Sequence, residues 1–171
     1  MAGEPSWQPA YIGLGSNLET PRAQLMRAWE RLEHLPQTRA VRLSPLYGSR
    51  PFGPVRQPDF VNAVAAVLTR LDARTLFEAL KAIEVALGRR AQGARWGPRV
   101  IDLDLLVYGA QRRAEPDLIV PHPGIVERNF VLYPLADIAP DLDVPGLGPV
   151  RELKARLGPE GLWRLEAPER G

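Results

Sequence analysis

Asp102 and Asp104 stand one residue apart in the run Val100 to Tyr108, which has the composition of a strand. Alternate residues of a strand share a face, so the two carboxylates point one way while Ile101, Leu103, Leu105 and Val107 point the other. Their Cα atoms would lie roughly 7 Å apart, close enough for mutual repulsion and for both to reach one or two hard cations. A bare pair at this spacing also occurs on the solvated face of an edge strand. The stretch just before it holds Arg89, Arg90, Arg95 and Arg99 without an acid, among glycines and a proline that make it a loop. Read alone, those arginines fit a solvated basic loop or an RNA-contacting patch. Set beside the carboxylates they fit phosphoryl transfer, in which acids hold magnesium and arginines clamp phosphate oxygens.

Alternating strands and helices must position these groups. Tyr11, Ile12 and Leu14 lie in an apolar run that breaks at Gly15, Ser16 and Asn17, as a strand ending in a tight turn would. Thr20 is placed to cap a helix with Pro21 at its first position, and Leu25, Trp29 and Leu32 recur at helical spacing up to Pro36. Val41 to Tyr47 and Phe60 to Leu71 read as strands, separated by a Pro/Gly-rich loop from Arg50 to Pro58. Asp72 can cap a second helix with Leu76, Leu80, Ile83 and Leu87 on its apolar side, and Gly88 is placed to end it. The order strand, helix, strand, strand, helix, strand predicts an α+β domain, a ferredoxin-like antiparallel sheet with its helices on one face. The remainder, Asp117 to Gly171, reads as short proline-rich pieces that wrap the core.

Composition bounds the rest. With 171 residues and 45% hydrophobic content, one core is expected, a single domain spanning 1–171. The absence of cysteine excludes disulfides and thiolate-held metal, leaving oxygen ligands or His34 and His122. Twenty-two basic residues against 20 acidic ones give no global field that favours nucleic acid. No apolar run reaches membrane-spanning length and the first residues lack the pattern of a signal peptide, so a cytoplasmic location with no membrane partner is expected.

Four motifs occur in sequence: Gly15-Ser-Asn17; Pro51-Phe-Gly-x-x-x-Gln57-Pro-Asp-Phe60-x-Asn62; Arg95-Trp-Gly-Pro-Arg99-x-x-Asp102-x-Asp104; and Pro121-His122-Pro followed by Arg128-x-Phe130. Together they resemble 6-hydroxymethyl-7,8-dihydropterin pyrophosphokinases, folate-pathway enzymes that move a diphosphate from ATP to a reduced hydroxymethylpterin and release AMP. The resemblance spans Tyr11 to about Leu142 and implies the same ferredoxin-like fold.

It also implies roles. Asp102 and Asp104 would bind two magnesium ions, and with Arg89 and Arg99 form the catalytic set. Ser49, Phe52, Phe60, Asn62, Trp96 and Phe130 would make the pterin pocket, with Phe60 and Phe130 sandwiching the ring and Asn62 reading its edge. Lys81, Glu84, Arg95, Trp96, Leu105, His122 and Arg128 would contact ATP, Arg128 near the acceptor, while Glu84, one turn before its helix ends, could instead simply face water and His122 could be a satisfied core histidine. Gly15 to Asn17 would only shape a turn. The loop from Arg89 to Trp96 is expected to close over bound substrates. No obligate protein partner is implied. The chain departs from the pattern where Arg89 and Arg90 are adjacent, at Lys81, and at Asp117. Two other classes fit parts of the sequence: an RNA-binding ferredoxin-like module, which lacks its aromatic strand motif here, and a generic two-metal nucleotidyl transferase, which would release diphosphate instead of AMP.

Overall fold

The computed structural model describes residues 6–88 and 100–166. β1 (Gln8–Ser16) runs through the middle of the main sheet, antiparallel to β4 (Phe60–Thr69) on one side and to β5 (Asp102–Tyr108) on the other. Beyond β4 lie two short strands end to end, β2 (Thr38–Leu43) against its second half and β3 (Tyr47–Ser49) against its first. β10 (Leu162–Arg164) extends the sheet past β3. The core order is that of a ferredoxin-like fold, as expected.

The strand expected over Val41 to Tyr47 is divided. Pro45 has no N–H to give a ladder, and Ser44 leaves the strand path. Its N–H donates to the Val64 carbonyl at 2.9 Å and its hydroxyl accepts the Val64 N–H, also at 2.9 Å. The chain thereby steps from one half of β4 to the other.

Both expected helices form, α1 over Pro21–Glu33 and α2 over Ala73–Ala86. The caps differ. Asp72 accepts the Thr75 N–H at 2.7 Å, a side-chain N-cap that draws its carboxyl below the usual range, mainly through that bond. Thr20 holds the cap position of α1 but sits at φ 61°, and its hydroxyl turns to the Glu19 carbonyl instead of the helix. Gly88, at φ +106°, ends α2 in a conformation open to glycine.

The helices do not all share one face. Ala10, Ile12 and Leu14 of β1, Ala63, Ala65 and Val67 of β4, and Leu103 and Leu105 of β5 pack under α1 and α2. The opposite face, with Val64, Leu106 and Val107, lies under α3 (Asn129–Ile138) and α4 (Val150–Ala155). Sequence reading missed α3 because Pro134 sits inside it. There a proline removes one backbone bond, but Val131, Leu132 and Leu135 bury a continuous stripe that holds the turn together. Two hairpins complete the described chain, β6 (Arg113–Glu115) with β7 (Leu118–Val120) and β8 (Asp143–Val144) with β9 (Gly148–Pro149).

Val107 also departs from expectation. Tyr11 faces Val107 but Ile12 faces Leu105, so Leu106 is an extra residue in β5, a bulge that reverses the alternation after it. Val107 therefore joins Leu106 on the α3 side.

Replacing Asp72 with alanine should remove the α2 cap and cost about 1 kcal/mol. Urea unfolding should show the midpoint falling with an unchanged slope.

Candidate functional site

β5 is an edge strand with Leu103 between the two aspartates, and the outward backbone groups of Leu103 are met by α2. Its N–H donates to Glu84 Oε2 at 2.8 Å, and its carbonyl accepts from Lys81 Nζ at 3.4 Å. Lys81 Nζ also lies 3.2 Å from Glu84 Oε1. Glu84 is 1% exposed, so it belongs to the frame, and neither open expectation for it, a nucleotide contact or a solvated side chain, describes its place. A buried carboxylate is sustainable when a lysine and a backbone donor share it.

Asp102 and Asp104, both half-buried, stand on the α3 side of the sheet as the alternation predicts. Their neighbours on β1 are glycines: Gly15 faces Asp102 and Gly13 faces Asp104. Gly15 in turn faces Asn62 on β4, and a Cβ built on it would come within 3.2 Å of Asn62 Oδ1. Glycine thus gives the carboxylates and the amide a shared open floor across three strands. The expectation that Gly15 to Asn17 only shape a turn needs correction: Gly15 and Ser16 are strand residues, Gly15 lines the cleft, and buried Asn17 donates to Gln57 Oε1 and the Pro58 carbonyl, each at 2.9 Å. Those bonds tie the loop before Phe60 to the end of β1.

A cleft over this floor is lined by Ser49, Phe52, Phe60, Asn62, Asp102, Asp104, Arg128 and Phe130, with Gly13 and Gly15 beneath. Asn62 donates to Ser49 Oγ at 2.7 Å, and both side chains are buried. Phe52 and Phe130 have ring centroids 5.6 Å apart at 56°, and the Arg128 guanidinium lies 5.9 Å from the Phe130 ring. Five of the six residues expected to hold a pterin therefore come together, and Arg128 lines the same cleft.

A second cleft wraps the outer edge of β5. Lys81, Leu105 and His122 line it with Phe77 and with Pro116 to Ile119 of the β6–β7 hairpin, and Asp104 lines it too. Sequence reading did not select Phe77, which follows an ordinary apolar helix pattern. The Asp117 departure has a partner: Arg74 on α2 donates to both its oxygens at 2.8 and 3.0 Å and to Glu115 at 3.1 Å. His122 accepts the Gly124 N–H at Nδ1, at 3.0 Å. Burial holds its imidazole below the ordinary range, opposed by Asp104 and reinforced by Arg128 and Lys81. Arg89, Arg95, Trp96 and Arg99 fall in 89–99, outside the described residues, and with them the expected closing loop and Arg90.

Residues 11–140 match the family described as 7,8-dihydro-6-hydroxymethylpterin-pyrophosphokinase. The chain belongs to this family. It is 51% identical over 158 residues to a 2-amino-4-hydroxy-6-hydroxymethyldihydropteridine pyrophosphokinase of Pseudomonas aeruginosa, covering 92% of this chain and 97% of that one. The Haemophilus influenzae protein of the same name is 44% identical over 156 residues, covering 91% and 97%. Among solved structures, wild-type Plasmodium falciparum HPPK-DHPS crystallised with pteroate superposes with a TM-score of 0.71 at 14% identity, which speaks to the fold alone. The match covers 90% of this chain but 45% of that longer polypeptide.

Two outcomes follow for the pyrophosphokinase scaffold. Glu84→Ala would leave the Leu103 N–H without its acceptor and Lys81 without its acid, and should cost about 2–3 kcal/mol in thermal or urea unfolding. For His122, the folded chain resists a proton that the unfolded chain accepts below about pH 6.5. Its contribution to stability therefore falls as pH drops through that value, and His122→Gln should lose less stability than the original chain between about pH 7.5 and 5.

Proposed function

We propose that the chain performs its family's reaction where the two clefts meet. The chain is an ATP-dependent diphosphotransferase of folate biosynthesis: it transfers the diphosphate of ATP to the hydroxymethyl group of 6-hydroxymethyl-7,8-dihydropterin. In that transfer a bond forms between the hydroxymethyl oxygen and the β-phosphorus, the bond between the β-phosphorus and the α-phosphate oxygen breaks, and AMP leaves. The observation that carries the placement is that Asp104 lines both clefts, so a ligand in either one reaches the same carboxylate.

In this reading the aromatic cleft takes the pterin. Phe60, Phe130 and Phe52 offer faces to a flat ring. Asn62 gives one amide hydrogen to Ser49 and keeps its second N–H and its carbonyl for the alternating donors and acceptors of the pterin edge. The edge cleft takes the nucleotide, with Lys81, Leu105 and His122 along its wall, while Arg128 sits beside the acceptor where it can meet phosphate oxygens. On the family pattern Arg89, Arg95 and Arg99 complete the phosphate contacts and Trp96 belongs to both sites.

Asp102 and Asp104 would hold magnesium. The donor set fits: hard carboxylate oxygens on one strand face, without a third acid or histidine grouped with them among the described residues, leave coordination positions for phosphate and water. When bound, the metal supplies charge neutralisation to the phosphate oxygens. The remaining parts of the reading are a single domain over 1–171 and a cytoplasmic location without nucleic-acid, membrane or obligate protein partners. Among the described residues no helix is long and apolar enough to cross a membrane.

Incubation with ATP, magnesium and the reduced hydroxymethylpterin, followed by mass analysis, tests the chemistry: AMP and the pterin diphosphate are expected, whereas free diphosphate would indicate nucleotidyl transfer. Asn62→Ala should weaken pterin binding by about 1–3 kcal/mol, tenfold or more, and leave ATP binding nearly intact in calorimetry. Asp104→Asn should lower turnover by about a hundredfold or more while the metal-free protein melts at the same temperature or higher, since one of two repelling charges is gone. Near-normal turnover would refute Asp104 as a metal ligand.

A further inference from the structure

The segment 156–166 lies beyond the stretch that matches the family and contributes no side chain to the aromatic cleft. It nevertheless touches both walls of that cleft. On one side β10 pairs along the free edge of β3, with Leu162 opposite Ser49 and Trp163 opposite Gly48. The pairing continues past both ends of β3: the Arg50 N–H donates to the Gly161 carbonyl and the Leu165 N–H to the Leu46 carbonyl, each at 2.9 Å. The Trp163 ring lies so close over Gly48 that a Cβ there would come within 2.3 Å of it.

On the other side the segment is held by the start of α3. Asn129 donates through Nδ2 to the Gly158 and Glu160 carbonyls, both at 3.0 Å, and the Tyr133 hydroxyl donates to the Leu157 carbonyl at 2.8 Å. Asn129 stands between Arg128 and Phe130, which line the cleft, while Ser49 of β3 and Arg50 just after it line it from the other side. One amide bonded to carbonyls two residues apart fixes where the α3 wall sits relative to the segment, and the strand pairing fixes the segment relative to the β3 wall. The walls also meet directly through Tyr47 and Asp137. That link lies two turns along α3 from Phe130, so it sets the helix without fixing the helix start.

We propose that segment 156–166 is a strap that sets the width of the pterin cleft, and that Asn129 is the positioning residue through which it acts. The proposal rests on the reading that this cleft takes the pterin. A ring stacked against Phe130 and bonded to Asn62 senses both walls at once, so displacement of either lowers affinity for the pterin and spares the nucleotide in the other cleft.

The test uses the full chain carrying Asn129→Ala. 6-Hydroxymethyl-7,8-dihydropterin is titrated calorimetrically into enzyme saturated with a nonhydrolysable ATP analogue and magnesium, and the analogue is titrated separately. The pterin Kd should rise about five- to tenfold, the effect of a hydrogen-bonded anchor lost, with the analogue's Kd within about twofold of the original. An unchanged pterin Kd, or equal losses for both ligands, would overturn the strap. Asn62→Ala measured alongside separates the two levels: if it leaves pterin binding intact, the assignment of the cleft itself fails. If Asn129→Ala does not fold, Trp163→Ala, at a partly exposed position, carries the test with the same expected direction, and an unchanged pterin Kd there overturns the proposal.

Discussion

A strand at the edge of a sheet exposes backbone donors and acceptors that must find partners, and here the strand at the edge is the one that carries the paired carboxylates. α2 meets that requirement at Leu103, with Glu84 taking its N–H and Lys81 its carbonyl. Further along, the His122 N–H donates to the Leu106 carbonyl at 2.9 Å, so the segment after β7 continues the same edge. Two side chains and one backbone N–H thus perform the work of a missing neighbouring strand. Because they are discrete, they leave space between them, and that space is the edge cleft. A continuous neighbouring strand would have buried Asp104 and closed it.

The face of β5 is governed by a second constraint, that two carboxylates near each other need room and solvent. The glycines at 13 and 15 supply it, because a Cβ at Gly15 would come within 3.2 Å of Asn62 Oδ1 and one at Gly13 would project beside Asp104 toward Leu106. The same face farther along the sheet is packed under α3. What divides the two regions is the bulge at Leu106, which turns Leu106 and Val107 together toward α3 and ends the polar alternation. The floor of the aromatic cleft is therefore the uncovered portion of a face whose other portion is core, and the local twist of a bulge marks the boundary.

Much of this was legible in the residues because it depended on local rules. Asp72, Pro21 and Gly88 mark helix ends through propensities that act within one turn, and the alternation in β5 correctly put Asp102 and Asp104 on one side. The motif residues Ser49, Phe60, Asn62 and Phe130, far apart in sequence, converge as the resemblance implied. What was not legible depended on distant partners. Glu84 looked like a surface acid at the end of a helix, and only its docking against Leu103 makes it structural. A one-residue bulge leaves no compositional trace, so Val107 was placed on the wrong side. α3 was hidden by Pro134, whose local cost is outweighed by burial that the sequence shows only once the other face of the sheet is known to need cover.

The departures at Lys81 and Asp117 acquire a common sense in this frame. Both lie on the walls of the edge cleft, one on α2 and one on the β6–β7 hairpin. Lys81 is occupied with Glu84 and the Leu103 carbonyl, and Asp117 with Arg74, so each charge is directed into the scaffold. The acid at 117 brings a negative charge to a wall of the edge cleft, and the bidentate arginine opposite it offsets that charge at the surface. Arg74 also joins the hairpin to the helix that supplies Phe77 and Lys81, so the same contact that neutralises Asp117 ties the two walls of the cleft together. The exposed pair adds little to stability in water. Its effect is on geometry, because it adds a directional polar link to the apolar contacts that Leu118 and Val120 make in the core beside α2.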